Sequence, residues 1–398
     1  MSNGPIAHVV EAFGGGVRQY MRLVLPGLVR RGFDIHLYCS PREGSGRFAQ
    51  DVAFLRGAGV RVRILRMTRR IAPLRDALGL VALTGGLSRD ACRLVHTHGS
   101  KAGALGRLAA KRLGIPAVHT PHCFSFLRAG DPVRRKVYLW VERLLGAMTA
   151  RLLAVSESEA RTAWECGIVP PDRCVTVHNG LPCLAPSAGA ECSGLADMRR
   201  ELGILPGDRI VLSACRLVAY KGVMRLLEAA RLSRSGGVCF VLAGEGPLRR
   251  RAERFVRRHG LSSKVRLPGD LPDVEALLCG CDVFALCSDA EGQPYAMLEA
   301  MRAGCPAVVV SRPGLAELVE DGRTGRIVEA VPADIAAAID ELLANTAQRL
   351  AMGANARARF WRHHALDDQV SRLGQTYSVL LEEHDGRLDR GKAALRAG

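Results

Sequence analysis

Two carboxylates eight positions apart, Glu291 and Glu299, stand in the run Asp-Ala-Glu-Gly-Gln-Pro-Tyr-Ala-Met-Leu-Glu-Ala-Met-Arg-Ala-Gly-Cys-Pro from Asp289 to Pro306. Apolar, β-rich stretches flank it, Asp282 to Cys287 and Ala307 to Val310, so it reads as the loop and helix of a strand-helix-strand unit. Pro294 suits a first helical turn, where a missing N–H costs nothing, and Gly304-Cys305-Pro306 ends the helix, which should begin near Gln293. A helix N-terminus offers free N–H groups and partial positive charge, which attract phosphate. Carboxylates beside it can accept hydrogen bonds from sugar hydroxyls. Taken as a lone pair, Glu291 would be a helix cap and Glu299 a solvated surface residue.

Other chemistry-bearing residues also sit just past predicted strands. Arg216 and Lys221 flank a turn in Arg-Leu-Val-Ala-Tyr-Lys-Gly, and glycine turns occur at Gly14-Gly15-Gly16 and at Gly244-Glu245-Gly246-Pro247. Neither turn has the spaced glycines and following acid of a dinucleotide fingerprint, which argues against a nicotinamide oxidoreductase. Histidines cluster in His96-Thr97-His98 and in His119-Thr120-Pro121-His122. Without a carboxylate at a matching spacing they read as buried imidazoles or substrate contacts, not metal ligands. Ser156 reads as a helix N-cap, and Asn179-Gly180 as a turn first and a ligand contact second.

Parallel sheets would position such residues. Strands are expected at Ile6 to Val10, Asp34 to Cys39, Arg61 to Leu65, Leu94 to His98, Ala117 to Thr120, Leu152 to Val155 and Val175 to Val177. A second series follows at Arg209 to Ala214, Phe240 to Ala243, Val265 to Leu267, Asp282 to Cys287, Ala307 to Val310 and Arg326 to Val328. Helical runs lie between most of them, including Val17 to Arg31, Val133 to Thr149 and one from Pro272. Alternating β and α elements with apolar strands predict α/β domains, each a parallel sheet covered on both faces.

At 398 residues the chain suits two domains. The expected division is a first domain over 1–185, a linker over 186–207 and a second domain over 208–365. The run Leu366 to Glu383 would cross back onto the first domain, leaving Asp385 to Gly398 frayed. The 13 cysteines are scattered without Cys-x-x-Cys pairs, as reduced core residues would be. Apolar runs are strand-sized and no signal pattern opens the chain, so a cytoplasmic protein is expected.

The formal charge of +17 is uneven. Residues 1–180 carry 27 Lys plus Arg against 12 Asp plus Glu, a net +15, and the remainder carry 29 against 27, a net +2. A basic half suits an anionic membrane face, an anionic acceptor or nucleic acid, or is simply solvated. Only six of the 56 cations are Lys, so part of the excess is a bias toward Arg.

The Glu-x7-Glu string with its Glu-Ala-Met-x-Ala-Gly-x-Pro continuation resembles the signature of retaining, nucleotide-sugar-dependent glycosyltransferases of family four. That resemblance implies the GT-B fold: two Rossmann-like domains with parallel sheets facing across a cleft, the first binding acceptor and the second the donor. It implies catalytic roles for His122, Arg216, Lys221 and Glu291, with Arg216 and Lys221 neutralising the leaving diphosphate. Donor binding would fall to Gly15, Gly16, Gly244, Glu245, Gly246, Gly292, Gln293, Pro294 and Glu299, with His98 and Asn179 as further cleft positions. The family's pattern implies a UDP-sugar as substrate, no cofactor and no metal. The strings Gly-Ser-Lys-Ala-Gly and Thr-Pro-His-Cys-Phe-Ser-Phe resemble bacterial enzymes that build surface polysaccharide on lipid carriers, which implies a lipid-linked or other envelope glycan as acceptor and peripheral contact with the inner membrane face. Alternatives are a nucleotide-sugar epimerase or sugar phosphorylase on the same fold, or a non-catalytic basic protein that binds nucleic acid.

Overall fold

The computed structural model describes residues 4–41, 47–67, 71–183, 194–271 and 274–397. Short apolar runs form its strands, and they build two units, Met1–Gly180 with Leu366–Gly398, and Leu181–Ala365.

In the first unit, strands β1 (Ile6–Val10), β2 (Ile35–Cys39), β3 (Arg61–Ile64), β4 (Leu94–His98), β5 (Ala117–Thr120), β6 (Arg151–Ala154) and β7 (Cys174–Thr176) form a sheet in the order β3-β2-β1-β4-β5-β6-β7. Every pairing is parallel. β1, β2, β4 and β5 are buried on both faces, which is why their sequences put apolar residues on both faces and do not alternate apolar with charged positions. Helices α1 (Gly15–Arg30), α2 (Phe48–Gly57), α3 (Pro73–Arg89), α4 (Ser100–Leu113), α5 (Pro132–Gly146) and α6 (Glu157–Glu165) connect them. The Ser156 hydroxyl caps α6 by accepting from the Glu159 N–H.

In the second unit, α7 (Leu195–Glu201) precedes β8 (Arg209–Ala214), α8 (Val223–Leu232), β9 (Val238–Ala243), α9 (Arg249–Arg258), β10 (Val265–Gly269), α10 (Glu275–Cys279), β11 (Val283–Leu286), α11 (Tyr295–Ala303), β12 (Ala307–Val310), β13 (Gly325–Val328), α12 (Pro332–Ala344) and α13 (Thr346–His363). The sheet order is β10-β9-β8-β11-β12-β13, again all parallel. Finally α14 (Leu366–Ala397) rejoins the first unit and packs on α1, where Gly27 leaves room for the Val370 side chain.

Some boundaries differ from the sequence reading. Part of the expected linker and Pro272 lie outside the described residues; α7 packs on α10 and α10 starts at Glu275. The tail expected to fray continues α14 to Ala397, because it is rich in helix-forming Arg, Ala and Leu and Asp385 pairs with Arg93. Each strand order reverses direction once, between β1 and β4 and between β8 and β11. In open parallel sheets the carboxyl ends beside such a reversal are where ligands bind.

Candidate functional site

In the second unit, the residues singled out in the sequence meet at the carboxyl ends of β8, β9 and β11. The turn after β8 is laced to the glycine turn after β9: the Leu217 N–H donates to Glu245 O at 2.9 Å, and the Leu248 N–H donates to Leu217 O at 2.9 Å. Gly244, at φ 138°, could not be larger, since a Cβ there would lie 2.0 Å from Cys215 O. Gly246 approaches Leu217 O similarly, and the exposed Glu245 carboxylate pairs with Arg249. The same β8 turn is bolted to the loop after β11, because the Asp289 N–H donates to Tyr220 O at 2.7 Å. Arg225 adds bonds to Cys287 O at 2.6 Å and Asp289 Oδ1 at 2.9 Å.

Where these loops join, Lys221 Nζ forms an ion pair with Glu291 Oε1. Burial pulls the Lys221 pKa down, but Glu291 more than offsets it and the pKa ends above its ordinary value, so Lys221 is an ammonium. Arg216, exposed on the same turn, makes no ion pair with any described residue. Gly292 and Gln293 are buried in the approach to α11, and Pro294 is its N-cap, one position earlier than a first-turn proline. The first-turn N–H groups of a helix have no helical carbonyl to bond. Glu299 lies on the less buried side of α11 with Ala296, and Gly304 ends the helix in the left-handed conformation. Cation, paired ammonium, helix N-terminus and carboxylates thus share one sheet edge, an arrangement that binds and polarises a phosphate ester.

In the first unit, Gly15 and Gly16 are exposed and open α1, two residues before the expected start, with Gly15 at φ 54°. The histidines split between two faces. His8, His96 and His98 lie on the side covered by α14, and His119 lies on the other, beside Gly103 and within 2.9 Å of Thr97 Oγ1. On the α14 side a continuous chain runs from Thr120 to His122. His96 Nε2 is 2.8 Å from Thr120 Oγ1 and its Nδ1 2.5 Å from the Tyr377 hydroxyl. That hydroxyl is 3.4 Å from His8 Nε2; His8 Nδ1 is 3.0 Å from His98 Nε2; His98 Nδ1 is 3.0 Å from His122 Nε2. A neutral imidazole has one donor and one acceptor nitrogen, so the chain has two fully bonded arrangements, every proton directed toward His122 or every proton away from it. In the first, His122 Nδ1 remains an N–H donor; in the second it is an acceptor. His98 is 1 % exposed and its Nδ1 meets His122. Asn179 is buried and accepts from Gln369 Nε2 of α14 at 3.3 Å.

His8, His96 and His98 have nitrogens close enough together to share a metal ion. No carboxylate is in that cluster to offset two buried charges, and the hydrogen-bonded chain accounts for each of their nitrogens.

Sequence reasoning passed over His8, Tyr377, Glu11 and Glu159. Glu11, after β1, accepts from the Ala102 N–H at 3.0 Å in the first turn of α4. Glu159 accepts from the Cys123 N–H at 2.5 Å and the Val155 N–H at 2.8 Å, and so braces the residue after His122. A signal for Glu159 existed: Ser156 and an acid three residues later form a capping-box pattern.

Known proteins resemble this chain over both units. A family model described as glycosyl transferase 4-like domain matches residues 15–180, and one described as glycosyl transferases group 1 matches residues 196–359. The UDP-Gal:alpha-D-GlcNAc-diphosphoundecaprenol alpha-1,3-galactosyltransferase of Escherichia coli is 28% identical over 333 residues, 81% of this chain and 84% of that protein. A D-inositol 3-phosphate glycosyltransferase of Thermomonospora curvata is 28% identical over 396 residues, 92% of this chain and 90% of its own. The crystal structure of Anabaena HepE with UDP and glucose superposes with a TM-score of 0.79 at 19% identity, covering 94% of this chain and 100% of that one. The chain belongs to the family-four glycosyltransferases of the GT-B fold, similar to bacterial polysaccharide enzymes, and transfers a sugar from a nucleotide-sugar donor.

Proposed function

We propose that the donor is a UDP-sugar, that configuration at the anomeric carbon is retained, and that the acceptor is a hydroxyl of a lipid-linked envelope glycan. The observation that carries the donor half is the Lys221–Glu291 pair in the loop before α11, with Arg216, which makes no ion pair with any described residue, exposed on the same turn as Lys221. As the bond from the anomeric carbon to the diphosphate breaks, charge gathers on the leaving oxygen, and Arg216, Lys221 and the α11 N-terminus stabilise it. The acceptor hydroxyl bonds to the anomeric carbon from the same side and its proton passes to the leaving phosphate oxygen. Glu299 holds the ribose hydroxyls and the turns at Gly15-Gly16, Gly244-Glu245-Gly246 and Gly292-Gln293-Pro294 approach the donor. Glu291, committed to Lys221, positions the sugar and is not a nucleophile. His122 takes a sugar hydroxyl, with His98 behind it, and Asn179 stays a structural tie.

Protein cations neutralise the diphosphate in this reading, so catalysis needs neither metal nor cofactor, and turnover should persist in a chelator. The E. coli relative's acceptor, by its name, is a diphosphoundecaprenol-linked sugar. Such an acceptor supports a cytoplasmic enzyme with peripheral contact to the inner membrane face and no nucleic acid partner. Transfer from a panel of UDP-sugars to a polyprenyl-diphosphate-sugar is the direct test. Lys221→Ala or Glu299→Ala should lower kcat/KM by about 100-fold or more with the melting profile intact. Near-normal turnover in either variant removes that residue from the site, and isomerised donor or phosphate-dependent cleavage in place of transfer defeats the assignment.

A further inference from the structure

α5 is fixed to its own unit by one face and presents a second apolar face outward. Inward, Glu142 is 4% exposed and accepts from Arg107 Nη2 of α4 at 2.9 Å, with Leu145 and Gly146 buried beside it. Outward, Val133, Val137, Trp140 and Leu144 are 68%, 48%, 60% and 48% exposed. Their spacing of four, three and four stacks them in a single ridge. At about 100° per residue, Arg134 falls on one flank of that ridge and Lys136 and Arg143 on the other, all exposed. The N-cap Asp131 accepts from the Val133 N–H and pairs with Arg134 at 3.7 Å, and the other carboxylate of α5, Glu142, is on the inward face.

Single exposed apolar residues are ordinary, but four in register on a pinned helix require a partner. α3 adds a second ridge, Leu74, Leu78 and Val81, at 83%, 70% and 63% exposure. Both helices pack on α4, so both ridges belong to one helical layer. An apolar ridge with cations on both flanks fits a surface that is apolar within and anionic at its rim, the headgroup boundary of an anionic bilayer. We propose that the outer face of α5, with that of α3 beside it, is the surface by which this protein docks on anionic lipid, the Trp140 ring seated at headgroup level. This gives the membrane contact of the preceding reading a location, and it stands on α5 whatever the sugar.

Vesicle flotation tests it. The full-length protein should float with phosphatidylglycerol vesicles and not with phosphatidylcholine vesicles, and Trp140 emission should move to shorter wavelength in a Trp164→Phe, Trp361→Phe background. The double change Val137→Glu and Trp140→Glu should reduce flotation at least about tenfold, with melting and transfer to a water-soluble acceptor unchanged. Arg134→Glu with Lys136→Glu should remove the preference for anionic lipid. The proposal is overturned by a wild type that ignores anionic vesicles, by undiminished flotation of the first double variant, or by a dimer that this variant dissolves without any lipid binding. Intact flotation with no turnover of any UDP-sugar would instead overturn the choice of a UDP-sugar as donor.

Discussion

His122 and Cys123 both hold positive φ, 53° and 79°, with no glycine to relieve them. Each such residue costs about 1–3 kcal/mol and persists only where its surroundings enforce it. Glu159 is the enforcing group, since its two oxygens take the N–H groups of Cys123 and Val155 and tie the turn after β5 to the end of β6. The strain fixes where the His122 ring stands, and the chain through His98 couples its tautomer to those of the imidazoles behind it. Glu159→Gln would aim an NH2 group at a backbone donor. It should destabilise the fold by about 1–3 kcal/mol in urea titrations and reduce transfer. A variant with unchanged stability and rate would show that the turn holds itself.

At the scale of elements, two positive-φ glycines make contrasting cases. Gly222 caps α8 at φ 68°, directly after Lys221, and a Cβ there would lie 2.0 Å from Cys287 O, so the loops after β8 and β11 could not close on each other. Gly15 at φ 54° has nothing within 4 Å of such a Cβ. Gly222→Ala should therefore cost at least about 2 kcal/mol and most of the activity, while Gly15→Ala should cost about 1 kcal/mol from backbone conformation alone. Melting curves with initial rates would check the pair, and equal losses would refute the steric account.

Elements were also the most legible level of the sequence. Strands buried on both faces leave unmistakable apolar runs, and the residues of the second-unit site lie in short segments that directly follow β8, β9 and β11. The histidine chain was not legible, because its members meet through β1, β4 and α14, with Tyr377 and His8 separated by 369 positions. Periodicity likewise marked the helix at Val133 but could not say that Val133, Val137, Trp140 and Leu144 face outward, since Leu145 beside Glu142 serves as its inner face.

For the molecule as a whole, the same imidazoles set a limit in acid. Burial holds His8 and His122 down to about 3, the latter with help from Arg128. Burial also depresses His96, His98 and His119, and neighbouring imidazoles or Arg107 add to it. Unfolded imidazoles titrate near 6.5. Between the folded and unfolded values the unfolded chain binds more protons, so stability rises with pH across that window and is lost as pH falls below about 6.5. Each depressed imidazole adds at most about 1.4 kcal/mol per pH unit to that slope. Protonation also strains the chain, because one imidazolium can donate in both directions while its neighbours reorient, but a second leaves two N–H or O–H donors facing each other between the two cations. Urea unfolding free energies should therefore be flat above about pH 7 and fall steeply toward pH 5, well before ordinary carboxylates titrate. A free energy that stays constant from about pH 7 to pH 5 would mean that these imidazoles are not buried together.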